Sequence, residues 1–290
     1  QTINVCYTAY PIEYLLTRIA GNRINLNKLS DENPIQVAHI VDNYTEYLDN
    51  ATLILQLNEL EPYWGIYAEE IKASPATIID LTSLAAIYDF KRYTTGDVNG
   101  NSVVVEGPYY EGTEFTMTDI YSKDPNLWLD PIAMTSMART IKDWLVEANP
   151  ENAEFYETNF KLLEADLVRM DAEYSELPDN NTIKLVTVTP SFGNWQKAYG
   201  IGIYPLILSR YGALPTEAQL TIMETKIRDD KVQYIVKEAN LTEDMLALYE
   251  RVKQDCGLIE IELSNLSSLS EKEISQNKDY LTIMYDNLTV

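Results

Sequence analysis

Residue types that bind transition metals are scarce in this chain. It has one histidine, His39, and two cysteines, Cys6 and Cys256, near opposite ends of the sequence. One histidine excludes a metal site built from several histidines, and two cysteines are too few for the usual four-ligand zinc patterns. The alternating run around Cys6 predicts a buried strand position, and the pattern leaves a disulfide between the two cysteines open.

One spacing resembles the start of a calcium-binding loop. Asp97, Asn99 and Asn101 stand at alternate positions, as the first three ligands of such a loop do. The glycine expected after the third ligand is Ser102, however, and the final glutamate position is occupied by Pro108. The sequence therefore favours a plain turn over a calcium site.

Catalytic motifs are absent from the sequence. It contains no G-x-S-x-G, P-loop, G-x-G-x-x-G or H-E-x-x-H segment, and its acidic residues are expected mostly on solvated helix faces. The 21 tyrosines are expected to cover partly buried surface more often than to line a pocket. We therefore predict that the protein is not an enzyme.

The charge of the chain restricts its partners. A net charge of -23 and a pI of about 4.3 argue against nucleic acid or an anionic membrane as a direct partner, because both would repel such a surface. No run of 18 apolar residues is present. Gln1 leads directly into a predicted strand, as expected for a chain whose export signal has been removed.

The hydrophobic pattern predicts an α/β protein of two lobes, each a mostly parallel sheet flanked by helices. Short β-like runs alternate with helical patterns in both halves. Between Pro150 and Pro178, a stretch without Gly or Pro predicts one long helix that bridges the lobes. The predicted organisation is an N-terminal lobe over 1–150, a connecting helix over 151–178 and a C-terminal lobe over 179–290.

Six segments, in the same order, resemble one known family, the metal-type solute-binding lipoproteins of bacterial ABC transporters. The segments are TAYPIEYLLTRIAGNRINL, ATLILQLNELEPYW, DPNLWLDP, NPENAEFYETNF, TPSFGNWQKAYGI and KDYLTIMYDNL. Together they span essentially the whole chain. The resemblance implies two α/β lobes, a long bridging helix and a zinc or manganese ion held between the lobes by histidines and carboxylates.

The family's metal ligands are substituted at the matching positions. Aligned on DPNLWLDP, the second ligand falls on Asn126; aligned on SFGNW, the third falls on Thr189; aligned on IELSNL, the acidic fourth falls on Ser264. The first ligand falls on His39 if three residues are deleted, or on Gln36 without a gap.

These substitutions disfavour a metal site. Amide and hydroxyl oxygens are neutral and do not compensate the charge of a dehydrated divalent cation, although a carboxylate such as Glu238 or Glu262 could reach the site. No cofactor is therefore predicted, and zinc or manganese is expected to bind far more weakly than in the family.

The predicted function is that of an extracellular solute-binding protein. The resemblance implies a monomer that delivers a small solute or metal ion to an ABC permease, anchored to the cell surface through a lipid-bearing cysteine upstream of Gln1. The alternative, from another class, is an adhesin-like surface interaction protein with a vestigial cleft that binds no metal.

Overall fold

The computed structural model of the chain describes residues 1–178 and 183–290. Its N-terminal lobe is a four-stranded parallel sheet in the order β2-β1-β3-β4, with helices in the connections. Its elements are β1 (Asn4–Tyr7), α1 (Tyr10–Ala20), β2 (Asn25–Lys28), α2 (Tyr44–Asn50), β3 (Leu53–Gln56), α3 (Ala68–Lys72) and β4 (Thr77–Asp80).

A hairpin and two long helices follow this sheet. The hairpin pairs β5 (Arg92–Val98) with β6 (Asn101–Gly107), and it is followed by α4 (Pro131–Ala148) and α5 (Ala153–Ser175). The residues whose spacing resembles a calcium loop lie at the hairpin turn, where the side chain of Asp97 accepts a hydrogen bond from Gly100 N at 2.8 Å. The structure therefore has a hairpin turn at this position, as the sequence favours.

Helix α4 begins with an N-cap that its own sequence supplies. The carboxylate of Asp130 accepts a hydrogen bond from Ile132 N at 2.9 Å, and Pro131 takes the first helical position, where its missing N–H costs nothing. The loop before this cap carries Asn126, so the start of α4 fixes where that side chain lies.

The C-terminal lobe is a second four-stranded parallel sheet, in the order β10-β9-β7-β8. Its elements are β7 (Lys184–Thr187), α6 (Asn194–Tyr199), β8 (Gly202–Pro205), α7 (Glu217–Asp229), β9 (Tyr234–Lys237), α8 (Glu243–Cys256), β10 (Ile259–Glu262), α9 (Glu271–Ser275) and α10 (Tyr280–Thr289). Cys6 and Cys256 are both free thiols.

Helix α5 bridges the two lobes. It packs on α1 and α4 of the N-terminal lobe and on α6 and α10 of the C-terminal lobe. Arg18 of α1 binds Asp166 of α5 at 2.7 Å, and the Tyr174 hydroxyl at the C-terminal end of α5 donates to the carbonyl of Met284 at 2.5 Å. The predicted fold class, two parallel α/β lobes joined by one long helix, is confirmed.

The hydrophobic core runs through both lobes. One buried cluster contains residues of both sheets, for example Val5 of β1 and Val236 of β9. A second cluster combines the C-terminal sheet with aromatic residues from the hairpin segment, among them Phe90, Tyr109 and Tyr121. The lobes therefore meet at a buried junction, where the polar residues described next lie.

Candidate functional site at the lobe junction

Two of the aligned positions meet in the buried junction. Gln36 lies on a short turn after β2, and its amide nitrogen donates to the side-chain oxygen of Asn126 at 3.2 Å. Gln36 is 1% exposed and Asn126 is fully buried. The amide oxygen of Gln36 has no hydrogen-bond partner.

Asp124 holds Asn126 in place. One oxygen of its carboxylate accepts hydrogen bonds from the Asn126 backbone N–H at 3.0 Å and from the Asn126 side-chain amide at 2.7 Å. Burial raises the pKa of Asp124 to about 6, and these two hydrogen bonds oppose that rise. From the C-terminal lobe, the Asn194 amide donates to the Asn126 carbonyl at 2.8 Å.

Thr189, just beyond β7, binds a carboxylate that the neighbouring strand supplies. Glu238 follows β9 directly, and its two oxygens accept from Thr189 N and Val188 N, both at 3.1 Å, and from the Thr189 hydroxyl at 2.5 Å. Burial raises the pKa of Glu238, and its hydrogen-bond donors limit the rise. Parallel strands end at the same sheet edge, which is why these residues meet.

Asn265 completes the group around Glu238. Its amide donates to Glu238 at 2.8 Å and to the side chain of Asn240 at 2.8 Å. The Trp128 indole donates to the Asn265 carbonyl at 2.6 Å, so this residue also ties the lobes together. We call Gln36, Asp124, Asn126, Thr189, Glu238 and Asn265 the junction cluster.

The remaining two predicted positions lie outside the junction cluster. The side chain of His39 is 82% exposed and its imidazole lies 3.2 Å from the Asp31 carboxylate at the surface, so Gln36 occupies the buried position. Ser264 faces α10. Its backbone N–H donates to the side-chain oxygen of Asn287, and its carbonyl accepts from the side-chain amide of Asn287, both at 3.0 Å. The residue that reaches Glu238 is the next one, Asn265.

Two of the cluster residues, Asp124 and Asn265, were missed by alignment to the family ligands. The local sequence could have indicated the role of Asp124, because an Asp two residues before a buried Asn forms an Asx-type turn. Asn265 differs from the aligned position by one residue, and only the path of the chain after β10 reveals which of the two side chains points inward.

The polar side chains of the junction cluster are arranged for hydrogen bonding and not for metal binding. Glu238 accepts four hydrogen bonds and Asp124 accepts two, so a cation would have to displace donors already in place. Among residues 1–178 and 183–290, no group of three or more His, Cys, Asp or Glu side chains is arranged to hold a metal ion. In the same ranges, none of the helices has the length and apolarity that a membrane span requires.

Known zinc-binding proteins resemble the chain over between about half and nearly all of its length. The zinc-binding protein AdcA of Streptococcus pyogenes serotype M6 is 27% identical over 166 residues, 57% of this chain and 32% of that protein. The zinc-binding lipoprotein AdcA of Streptococcus pneumoniae serotype 4 is 22% identical over 99% of this chain and 54% of that protein. The chain thus spans about a third to a half of the length of these relatives.

Solved structures share the fold. A crystal structure of ZnuA has a TM-score of 0.73 at 16% identity and covers 100% of this chain and 99% of that one. The laminin-binding adhesin Lmb of Streptococcus agalactiae, in a mutant structure, has a TM-score of 0.77 at 17% identity, covering 99% and 97%. At such identities these similarities establish the architecture alone.

The family itself is established by its sequence model. The model described as "ZnuA: Zinc-uptake complex component A periplasmic" matches residues 5–290. This match confirms the resemblance inferred from the six sequence segments. The protein therefore belongs to the ZnuA family of zinc-uptake components.

Proposed function

We propose that this protein is the solute-binding component of an ABC uptake system, with a lobe junction that uses hydrogen bonds where the family uses metal coordination. Family membership supports the transport role and favours it over the surface-interaction alternative. The observation that carries the proposal is the pairing of Gln36 with Asn126 at 3.2 Å, because two neutral amides bind each other where metal ligands would converge.

Under this proposal the protein binds zinc and manganese only weakly. Both ions need imidazole, thiolate or carboxylate ligands that are free to coordinate. In the junction cluster the carboxylates are already hydrogen-bonded and the other groups are neutral. The solute that suits such a site is small and is held by hydrogen bonds. No catalytic activity is assigned.

The partner in this proposal is a membrane permease, and the protein acts outside the cell as a monomer. A match to a lipoprotein supports attachment to the cell surface through a lipid-bearing cysteine. The net charge of -23 supports the absence of nucleic acid among its partners.

Metal content and metal affinity test the proposal together. The protein is purified without a metal-chelating tag, denatured, and its released metals and small solutes are identified by mass spectrometry. Chelator-treated protein is then titrated with zinc and with manganese by calorimetry. We expect no stoichiometric metal and no saturable heat at micromolar protein.

A paired variant decides where any bound metal sits. Stoichiometric zinc of sub-micromolar affinity that disappears in the Gln36→Ala/Asn126→Ala variant would refute the proposed hydrogen-bonding junction. Zinc that binds equally well to this variant would belong to another part of the acidic surface. A small organic solute released by the native protein and missing from the variant is the positive result.

A further inference from the structure

Two glycines of the C-terminal lobe approach the other side of the junction too closely for any side chain. Gly212, in the loop after β8, has a φ of 72°. A Cβ added there would lie 2.2 Å from Val37 Cγ1 and 3.3 Å from the carbonyl oxygen of Gln36. The contact is therefore made directly against the turn that carries Gln36.

Gly193 makes the second close approach. A Cβ at this position would lie 2.4 Å from a carboxylate oxygen of Asp124 and 2.9 Å from the hydroxyl oxygen of Tyr109. Asp124 orients Asn126 through two hydrogen bonds, and Gly193 directly precedes Asn194, which binds the Asn126 backbone. Gly212 thus lies against the backbone of Gln36, and Gly193 lies against Asp124, which binds Asn126.

We propose that Gly193 and Gly212 are positioning residues that allow the lobes to close over the junction cluster and thereby control access to it. In the closed arrangement Gln36, Asn126 and Thr189 are at most 1% exposed, so a solute reaches them only when the lobes separate. A methyl group at either glycine would overlap a facing side chain, Val37 at 2.2 Å or Asp124 at 2.4 Å, so the facing surfaces must move apart or that side chain must leave its packed position.

Two indole hydrogen bonds that cross the junction report this separation. The Trp128 indole donates to the Asn265 carbonyl at 2.6 Å, and the Trp195 indole donates to the Leu129 carbonyl at 2.9 Å. Both tryptophans are almost completely buried. Hydrogen exchange of these two indole N–H groups, measured by NMR, therefore follows local opening of the lobes without a bound solute.

The test compares Gly212→Ala with a control that carries the same backbone strain. Gly200 has a φ of 68° and open space around its Cβ position, so Gly200→Ala introduces the strain without the contact. We expect the two indole groups to exchange about tenfold faster, or more, in Gly212→Ala than in Gly200→Ala. Gly193→Ala should act similarly, compared with Gly65→Ala, where the Cβ position is also open.

A rescue variant separates contact from general damage. Val37→Ala removes the atom that a Cβ at residue 212 would strike, so Val37→Ala/Gly212→Ala should return exchange toward that of Gly200→Ala. Equal exchange in Gly212→Ala and Gly200→Ala, or no rescue by Val37→Ala, would overturn the inference. If Gly212→Ala does not fold, the double variant and Gly193→Ala still decide it.

This inference rests on the proposed role of the junction cluster as the solute site. The two can nevertheless fail separately. Indole exchange measures lobe closure in the free protein, whereas metal titration measures coordination. Fast exchange in Gly212→Ala together with tight zinc binding to the native protein would refute the hydrogen-bonding junction. The inference that the two glycines allow the lobes to close would still hold.

Discussion

The carboxyl group of Glu61 should make the protein more stable in weak acid than at neutral pH. Glu61 lies in the loop after β3 and is 2% exposed. One of its oxygens accepts a hydrogen bond from the Thr8 hydroxyl, and the other has no partner. Burial raises the pKa of Glu61 to about 7, and the charge of Asp80 adds to the rise.

The sign and size of the effect follow from proton linkage. Between pH 4.5 and about 7 the folded protein keeps a proton on Glu61 that the unfolded chain releases, so stability falls as pH rises through this window. Below the window the carboxyl group is neutral in both states and costs nothing. Above it, the shift from 4.5 to about 7 corresponds to about 3 kcal/mol of lost stability.

Glu61→Gln should remove this pH dependence. The amide stays neutral at every pH, so the free energy of unfolding of the variant, minus that of the native protein, should rise by about 3 kcal/mol from pH 4 to pH 8. The new N–H₂ group lies where the unpartnered oxygen was, and its unmet hydrogen bonds cost about 1–3 kcal/mol. That cost is the same at each pH and does not alter the rise.

Urea unfolding at a series of pH values measures the difference directly. The exposed Glu69→Gln is the control, because it removes the same charge from a chain of net charge -23 without removing a buried carboxyl group. If the stability curves of Glu61→Gln and the native protein run parallel from pH 4 to pH 8, the folded environment does not raise the pKa of Glu61 and the reasoning fails.

Three further changes have defined outcomes. Gln36→His/Asn126→His should gain zinc binding in calorimetry, because imidazoles replace two amides that already meet at 3.2 Å; heat equal to that of the native protein would show that the pair cannot converge on an ion. Asn265→Ala should lower the free energy of unfolding in urea by about 1–3 kcal/mol, since Glu238 loses a buried donor. Tyr174→Phe removes the hydroxyl that joins α5 to α10 and should lower the free energy of unfolding by about 1 kcal/mol in the same assay. An unchanged free energy of unfolding would mean that the 2.5 Å hydrogen bond does not stabilise the fold.

The order of elements could be predicted from local signals. The run INVCYTAY gives β1, PIEYLLTRIA gives α1, and the uninterrupted stretch after Pro150 gives α5. These elements depend on hydrophobic period, caps and the placement of Gly and Pro, which the sequence displays directly. The long helix, Ala153–Ser175, lies within the predicted range 151–178; it starts later because residues Pro150–Asn152 form a 3-10 turn, and it ends at its C-cap, Glu176.

The site depended on information that a local pattern does not contain. Gln36 and His39 are three residues apart on one connection, and only tertiary packing buries the first and exposes the second. Glu238 reaches Thr189 because β9 and β7 are neighbours although they are not consecutive in the chain. Tyr109 and Tyr121 likewise pack on the C-terminal core, a long-range contact that the periodicity of helices and strands in the sequence does not predict.

The charge balance of the junction predicts that substitutions there depend on one another. Glu61, Asp124 and Glu238 are buried at or near the lobe boundary, and their hydrogen-bond donors are neutral hydroxyl, amide and backbone groups. A metal ion would pair with the carboxylates of Glu238 and Asp124 but would displace the N–H and O–H donors that they now accept from, leaving those donors buried without partners. Histidines introduced at two positions should therefore recover only part of a family-like affinity until the donors to Glu238 are also released.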